Sequence, residues 1–360
     1  MLSRKVHIVG QGLAGSMLTM ELLHRGFDVS ISDDGHLSSS SMVAAGMWNP
    51  VTFKKLSESW MASQLLIAAD QTYRRLESKL GIGFYHPVEL VRLFQNNLAA
   101  NDWEEKSVHP ELSAYLSDLR DETFAKEFDQ PYGHGVVTGA GWLDIPKFLN
   151  GLRDYFMDLG IYQVRSSDEM QELNQNPHVV DITIFCTGWR AVNSGLFDWA
   201  PIIPNKGEVL TVDIPELSIN RMVNFGNFIV PIGENRFRFG ATYKLNEPDP
   251  NPQKETAIEM ISGLREIYHG DVSLVDHKAG YRPTTPDRKP LIGEHPEHPG
   301  ICIFNGFGSK GVLLIPYFAN HFAEVLTGNI ELMPDVNVGR YWNRTVQSHA
   351  SLVSSFREDH

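Results

Sequence analysis

The chain has 360 residues, 42% hydrophobic and 21% charged, with a formal net charge of −13. That length allows two domains with their own cores, and the acidic balance argues against nucleic-acid binding, which needs a basic face. Two cysteines cannot form a disulfide framework, and no apolar run approaches the ~18 residues needed to cross a bilayer. Cys186 and Cys302 each stand in an apolar run. Buried free thiols and a reducing, cytoplasmic compartment are therefore expected.

The first element is an apolar strand, Val6 to Val9, and then come Gly10, Gly12 and Gly15 in the order G-x-G-x-x-G. A helical pattern with Leu18, Leu22 and Leu23 on one face follows, with Gly26 as its stop. A short strand, Val29 to Ser32, ends in Asp33 and Asp34. Strand, glycine turn, helix, strand and acid in this order make a dinucleotide site. Gly10 permits the tight turn, Gly12 admits a pyrophosphate and Gly15 lets helix and strand lie close. The helix start offers N–H groups to the phosphates. An acid at Asp33 suits ribose hydroxyls, which favours FAD or NAD over NADP. Arg4 and Lys5 before apolar residues could imitate a signal peptide, but the glycine pattern makes the nucleotide reading the better one.

Next comes a serine run, Ser38 to Ser41, and then Ala44-Ala45-Gly46-Met47-Trp48-Asn49-Pro50. Its small residues would let backbone lie against a flat ring; the alternative is a flexible loop. Residues 57–80 read as one long helix ended by Gly81, and 88–94 as a strand. Residues 95–130 read as a polar insertion outside the core. Residues 135–143 look β-like with Gly139 and Gly141 as turns, and a helix runs from Ile145 to about Leu159 with Pro146 early in it. Tyr162 to Val164 is a short strand. Val179 to Cys186 is an apolar run that suits a covered parallel strand, and Thr187-Gly188-Trp189 follow it.

From Gly207 to Ala241 the pattern changes. Strands at 208–212, 228–231 and 236–241, separated by turn signals, predict an antiparallel sheet. Lys254 to His269 is an amphipathic helix. A short strand at 272–275 precedes A-G-Y-R-P-T-T-P-D-R-K-P-L-I-G, from Ala279 to Gly293. Strand Ile301–Phe304 then leads into N-G-F-G-S-K-G, Asn305 to Gly311, and a helix through Val325. This second glycine turn before a helix is a second anion or carbonyl binder. The tail, Met333 to His360, reads as polar and frayed towards its end. His295-Pro296-Glu297-His298 suits a surface turn, and no metal site is expected.

Four separated motifs agree in content and order: V-G-Q-G-L-A-G with Asp33, A-A-G-M-W-N-P, A-G-Y-R-P-T-T-P-D-R-K-P-L-I-G, and N-G-F-G-S-K-G-V-L-L-I-P. Together they resemble the D-amino-acid oxidase/glycine oxidase family of FAD-dependent oxidoreductases. The resemblance implies an α/β fold: a Rossmann-like FAD-binding domain and a second, α+β substrate domain on an antiparallel sheet. With the change of pattern, it places 1–75, 135–205 and 277–345 in the FAD domain. Residues 76–134 and 206–276 then form the substrate domain.

Carried over residue by residue, the resemblance assigns Gly10, Gly12, Leu13, Ala14 and Gly15 to the pyrophosphate. It assigns Asp33 and Asp34 to the adenosine ribose. Ala45, Gly46 and Met47 line the flavin, and Thr187, Gly188 and Trp189 make a second FAD contact. Gly306, Gly308, Ser309, Lys310, Gly311 and Val312 lie by the flavin pyrimidine. Arg282, which borders the flavin, pairs with a substrate carboxylate, a task its planar guanidinium suits. The family's clamp tyrosine is replaced here by Phe228, so Tyr243, Tyr281 or Lys310 is left to supply the second donor.

The activity implied is oxidation of an amine or amino acid. A hydride leaves the amine-bearing carbon for flavin N5, and the imine then hydrolyses; no protein base is required. No cysteine stands near Arg282, so the FAD is expected to be non-covalent and the partner a small amine. The competing readings are another flavin- or NAD-dependent class on the first motif, and a non-catalytic FAD-binding protein.

Overall fold

The computed structural model describes residues 4–35, 39–117, 124–165, 180–192 and 195–342. The chain divides into two compact units. One comprises Met1–Ser39, Leu149–Asn205 and Tyr281–His360, and the other Ser40–Phe148 and Lys206–Gly280.

The first unit is built on a six-stranded sheet. Its order is Tyr162–Val164, Asp28–Asp33, Lys5–Val9, Ile182–Phe185, His298–Asn305 and Leu291–His295. The first five strands run parallel; the last pairs antiparallel with its neighbour. Val6, Ile8, Val9, Ile184 and Phe185 are fully buried. Strands covered on both faces carry no alternation, which is why these runs read as continuously apolar. His7 is the polar exception, and its ring bonds Ser30 Oγ at 2.8 Å and Ser32 Oγ at 3.0 Å on the neighbouring strand. The helices Leu13–His24 and Gly311–Leu326 are tied by Arg25, which reaches Glu324 at 2.7 Å and Glu21 at 2.8 Å.

In the second unit a large sheet runs Lys244–Leu245, Ile203–Asp213, Arg236–Gly240, Phe228–Gly233, Met222–Asn224, Leu90–Leu93, His134–Val137, Leu116–Ser117. Ser273–Thr284 also pairs with Ile203–Asp213. Successive side chains alternate between the two faces. Val91, Val136, Val223, Ile229, Phe237 and Phe239 enter one core with Met260 and Leu264 of the helix Lys254–Arg265. Leu90, Val137, Met222, Val230 and Phe228 enter the other, with Trp103, Trp142 and Phe53.

Several expectations are corrected. Helix 57–80 begins only at Ala62, because Ser57–Glu58 pairs with Val51–Thr52 and Met61 turns left-handed at φ 57°. Residues 95–130 are not outside the core: Trp103, Leu112, Leu116, Phe124 and Phe128 are buried. Gly141 is a strand residue, required where the Trp48 ring stands 2.3 Å from any added Cβ. The sheet is not wholly antiparallel, since Met222–Asn224 runs parallel to Leu90–Leu93. The strand expected at 272–275 is longer, Ser273–Thr284, and includes Arg282. The tail is anchored by Val336 and Val338, both fully buried; its residues 343–360 lie outside the described residues, as does Ser38.

The units also divide elsewhere than the change of pattern suggests. Residues 40–75 and 135–148 group with 206–280. The reason is a small sheet, Met47–Trp48, Gly141–Leu143 and Tyr85–Pro87, which joins three stretches distant in sequence.

Candidate FAD and substrate site

Four loops of the first unit leave the carboxyl ends of adjacent parallel strands: Gly10 after Val9, Asp34 after Asp33, Cys186 after Phe185 and Gly306 after Asn305. The sheet's connections reverse direction around Lys5–Val9, and open α/β sheets bind ligands at that place.

Gly10 has φ +102°, and its N–H bonds Ser32 O at 2.8 Å. A Cβ on Gly15 would lie 1.9 Å from Gly10 O, so helix and turn touch backbone to backbone. No side chain caps the helix Leu13–His24, and its first turn holds no acid. The helix Gly311–Leu326 opens in the same way. Both starts therefore present a positive dipole end without a resident anion.

Asp33 is 7% exposed. One oxygen accepts the Gln11 backbone N–H and the other that of Gly35, each at 2.8 Å. A carboxylate has about four acceptor positions, so it retains capacity for ribose hydroxyls. Gln11 is braced in turn. Its amide reaches Ser16 Oγ and Leu149 O at 3.1 Å, and Arg153 donates to its oxygen at 2.8 Å. Asp34 is paired with Arg190 of the turn Gly188–Ala191.

Asn305, 2% exposed, links the two later loops. Its Nδ2 donates to Gly188 O at 2.8 Å, while its Oδ1 accepts the Gly306 N–H at 2.8 Å. The Arg282 strand is held to the same turn: Gly308 N–H bonds Pro283 O at 3.0 Å, and Thr284 Oγ1 bonds Ile203 O at 2.6 Å. Arg282 itself is half-buried. Tyr281 is buried, its ring 4.8 Å from that of Trp189. Lys310 is an exposed residue, but desolvation of its ammonium and then the nearby Arg288 charge lower its pKa.

The second unit holds the other expected residues. Gly46 has φ +78°, and its carbonyl accepts the Leu143 N–H at 3.0 Å. A Cβ there would meet Leu143 O at 2.0 Å. Ala45 O accepts a bond from Arg238 Nη1 at 3.3 Å, and Arg238 Nη2 stands 3.5 Å from Asp144. The segment expected to line a flavin is therefore fastened on both sides. Phe228 is half-buried on the sheet, and Tyr243 is 62% exposed.

The structure thus gathers Gly10 to Gly15, Asp33, Asp34, Thr187 to Trp189, Tyr281, Arg282 and Gly306 to Val312 in one unit. Ala45 to Met47, Phe228 and Tyr243 belong to the other. Sequence reading missed Arg238 and Asn305. The R-F-R-F-G alternation carried the signal for the first: Phe237 and Phe239 enter one core, so Arg238 must face away. His295 is a core residue whose ring nitrogens bond Leu196 O at 3.0 Å and the Glu297 N–H at 3.1 Å.

Asp33→Ala is expected to weaken FAD retention by ten- to a hundredfold, since lost bonds to a charged acceptor are worth roughly 1.5–3 kcal/mol. Fluorescence of released FAD on dilution measures it. Unchanged retention would remove Asp33 from the ribose site.

Comparison with known proteins bears on the family and the fold. The family model "FAD dependent oxidoreductase" matches residues 5–325. A glycine oxidase from Geobacillus kaustophilus is 26% identical over 86% of this chain and 89% of its own. The tRNA 5-methylaminomethyl-2-thiouridine biosynthesis bifunctional protein of Legionella pneumophila (strain Corby) is 22% identical over 92% of this chain. The chain spans about half the length of that relative, 55%. Among solved structures, iminodiacetate oxidase from Chelativorans sp. BNC1 superposes with a TM-score of 0.77 at 18% identity, covering 94% and 98% of the two chains. The Geobacillus kaustophilus glycine oxidase structure gives 0.76 at 21% identity, covering 92% and 97%. With glycine turns, acid and family model in agreement over most of its length, the chain belongs to the D-amino-acid oxidase/glycine oxidase family of FAD-dependent oxidoreductases.

Proposed function

We propose that this enzyme oxidises the C–N bond of an amino acid or N-substituted glycine, an amine that carries a carboxylate. The observation that carries this reading is the fastening of the Arg282 strand to the Gly306–Gly311 turn through Gly308 N–H and Pro283 O. It holds the backbone of the Arg282 strand beside the loop expected to meet the flavin pyrimidine. When bound, FAD supplies a two-electron acceptor for the hydride of the amine-bearing carbon. The chain's own residues bind and orient. Gly10, Gly12, Gly15 and Asp33 hold the dinucleotide, and the start of the helix Gly311–Leu326 favours negative charge near it. Arg282 takes the substrate carboxylate in bidentate fashion. Two buried free cysteines support a reducing compartment. Among the described residues, no helix is long and apolar enough to cross a membrane.

A second reading is an amine carried on a tRNA, supported by the name of the Legionella relative. The net charge of −13 speaks against a surface that holds a polyanion.

Anaerobic mixing with glycine, sarcosine, iminodiacetate, alanine enantiomers and their decarboxylated analogues tests both. Bleaching of the flavin band by a carboxylated amine, and not by its decarboxylated analogue, is expected. Bleaching only by bulk tRNA carrying a modified uridine would favour the second reading. Acid precipitation should release FAD into the supernatant; colour kept in the pellet would refute non-covalent binding.

A further inference from the structure

In the first unit the strand Lys5–Val9 lies between Asp28–Asp33 and Ile182–Phe185. An ion pair crosses the carboxyl end of that middle strand. It joins Asp34, directly after Asp33, to Arg190 of the turn Gly188–Ala191. Two strand spacings are about 9.6 Å, a span that an extended arginine and an aspartate bridge together. Between the two loops it joins lies the turn that begins at Gly10, after Val9.

Both ends of the pair stand on braced backbone. On one side the buried Asp33 accepts the Gln11 and Gly35 N–H groups, each at 2.8 Å. On the other, Asn305 Nδ2 donates to Gly188 O at 2.8 Å, and the Arg190 N–H bonds Thr187 O at 3.3 Å. The paired side chains are less confined: that of Arg190 is 34% exposed and that of Asp34 23%. A pair so exposed opens readily, since water screens it and competes for both charges. Ribose on Asp33 and pyrophosphate on the start of the helix Leu13–His24 put adenosine between the same two loops. The ion pair therefore crosses the cleft along which the dinucleotide lies.

We propose that Arg190 and Asp34 form a clasp over the adenosine end of FAD, which opens to let the cofactor in or out and closes across it. The clasp sets how fast FAD passes, not how tightly it is held, because the pair obstructs entry and exit alike. Asp33 keeps the ribose, while Asp34, which the resemblance also gives to the ribose, serves Arg190. The inference goes beyond the proposed reaction: it needs FAD in the glycine turn and does not depend on which amine is oxidised.

Stopped-flow fluorescence of FAD gives both rates: entry on mixing with FAD-depleted protein, and release on dilution of the loaded one. Arg190→Gln should raise entry and release by about two- to fivefold each, the range for opening a partly exposed ion pair. The affinity, read as their ratio, should then stay within about twofold of wild type. In an Asp34→Asn background the same substitution should leave both rates nearly unchanged, because the pair is already broken. A rise in one rate without the other would make Arg190 a direct contact of FAD and overturn the clasp. Two unchanged rates, or an equal effect in the Asp34→Asn background, would overturn it as well. Should Arg190→Gln lose FAD altogether, the exchanged pair, Arg190→Asp with Asp34→Arg, decides. Rates within about twofold of wild type uphold the clasp, and faster passage or lost FAD refutes it. No amine enters the measurement, so the clasp and the proposed reaction stand or fall separately.

Discussion

Gly15→Ala is expected to yield colourless protein whose affinity for FAD has fallen more than a hundredfold. The added Cβ would lie 1.9 Å from Gly10 O and 3.2 Å from Ile8 Cγ2. The obstacle is backbone, not the end of a flexible side chain. Gly10 cannot retreat, because its N–H is bonded to Ser32 O at 2.8 Å and its own Cβ position is blocked by Cys186 O at 2.8 Å. The helix start must then lift by about 1 Å, beyond the range in which an N–H···O bond to a phosphate survives. Losing two such charge-assisted bonds costs roughly 3–6 kcal/mol, and overpacking lowers the stability of the fold by about 1–3 kcal/mol besides. Absorbance of the flavin band per mole of protein, with a thermal melt, measures both. Gly263→Ala is the control. It lies within the helix Lys254–Arg265 with open space at its Cβ position, and it should raise stability by up to ~1 kcal/mol. Yellow Gly15→Ala protein with wild-type FAD content would show that the close approach does not govern the cofactor site.

Arg282→Ala is expected to lower kcat/KM for a carboxylated amine by ten- to a hundredfold while the protein stays yellow. Arg282 is half-buried on a strand that Gly308 and Thr284 fasten independently of its side chain. A charge-assisted hydrogen bond lost from a partly closed site costs roughly 1.5–3 kcal/mol. Arg282→Lys should recover only part, because an ammonium cannot reproduce the two parallel bonds of a guanidinium. The comparison is kcat/KM for a carboxylated amine and its decarboxylated analogue in wild type and variants. A wild type without preference, or an Arg282→Ala enzyme that keeps it, would remove Arg282 from substrate recognition.

The local devices were legible in the residues. Gly10, Gly12, Gly15 and Asp33 occupy fixed offsets because a nucleotide turn needs positive φ, close backbone approach and a buried acid within one βαβ unit. The apolar run Val179 to Cys186 predicted a covered parallel strand, found at Ile182–Phe185, for an equally local reason: both faces are covered, so no polar residue alternates. The third and fourth motifs likewise singled out Arg282 and the Gly306–Gly311 turn, since each is a continuous run of residues whose order alone carries the family resemblance.

The pairings between distant stretches could not be read in the same way. That residues 40–75 and 135–148 join 206–280 depends on Gly141 pairing with Trp48 and Pro87, and period-2 patterning says which face a residue takes, not which strand lies beside it. The insertion at 95–130 looked polar because its core contribution rests on isolated side chains, Trp103, Leu112 and Leu116, at no regular period. Arg92 falls in the strand expected at 88–94, whose pattern says nothing of its neighbours. Only the cross-strand register sets it beside Asn224 and Phe228. The sequence by itself therefore determined the nucleotide-binding chemistry, which depends on backbone conformation within one short unit. The tertiary structure decided which arginines share a face with Phe228, because strand register is set by the packing of both cores at once.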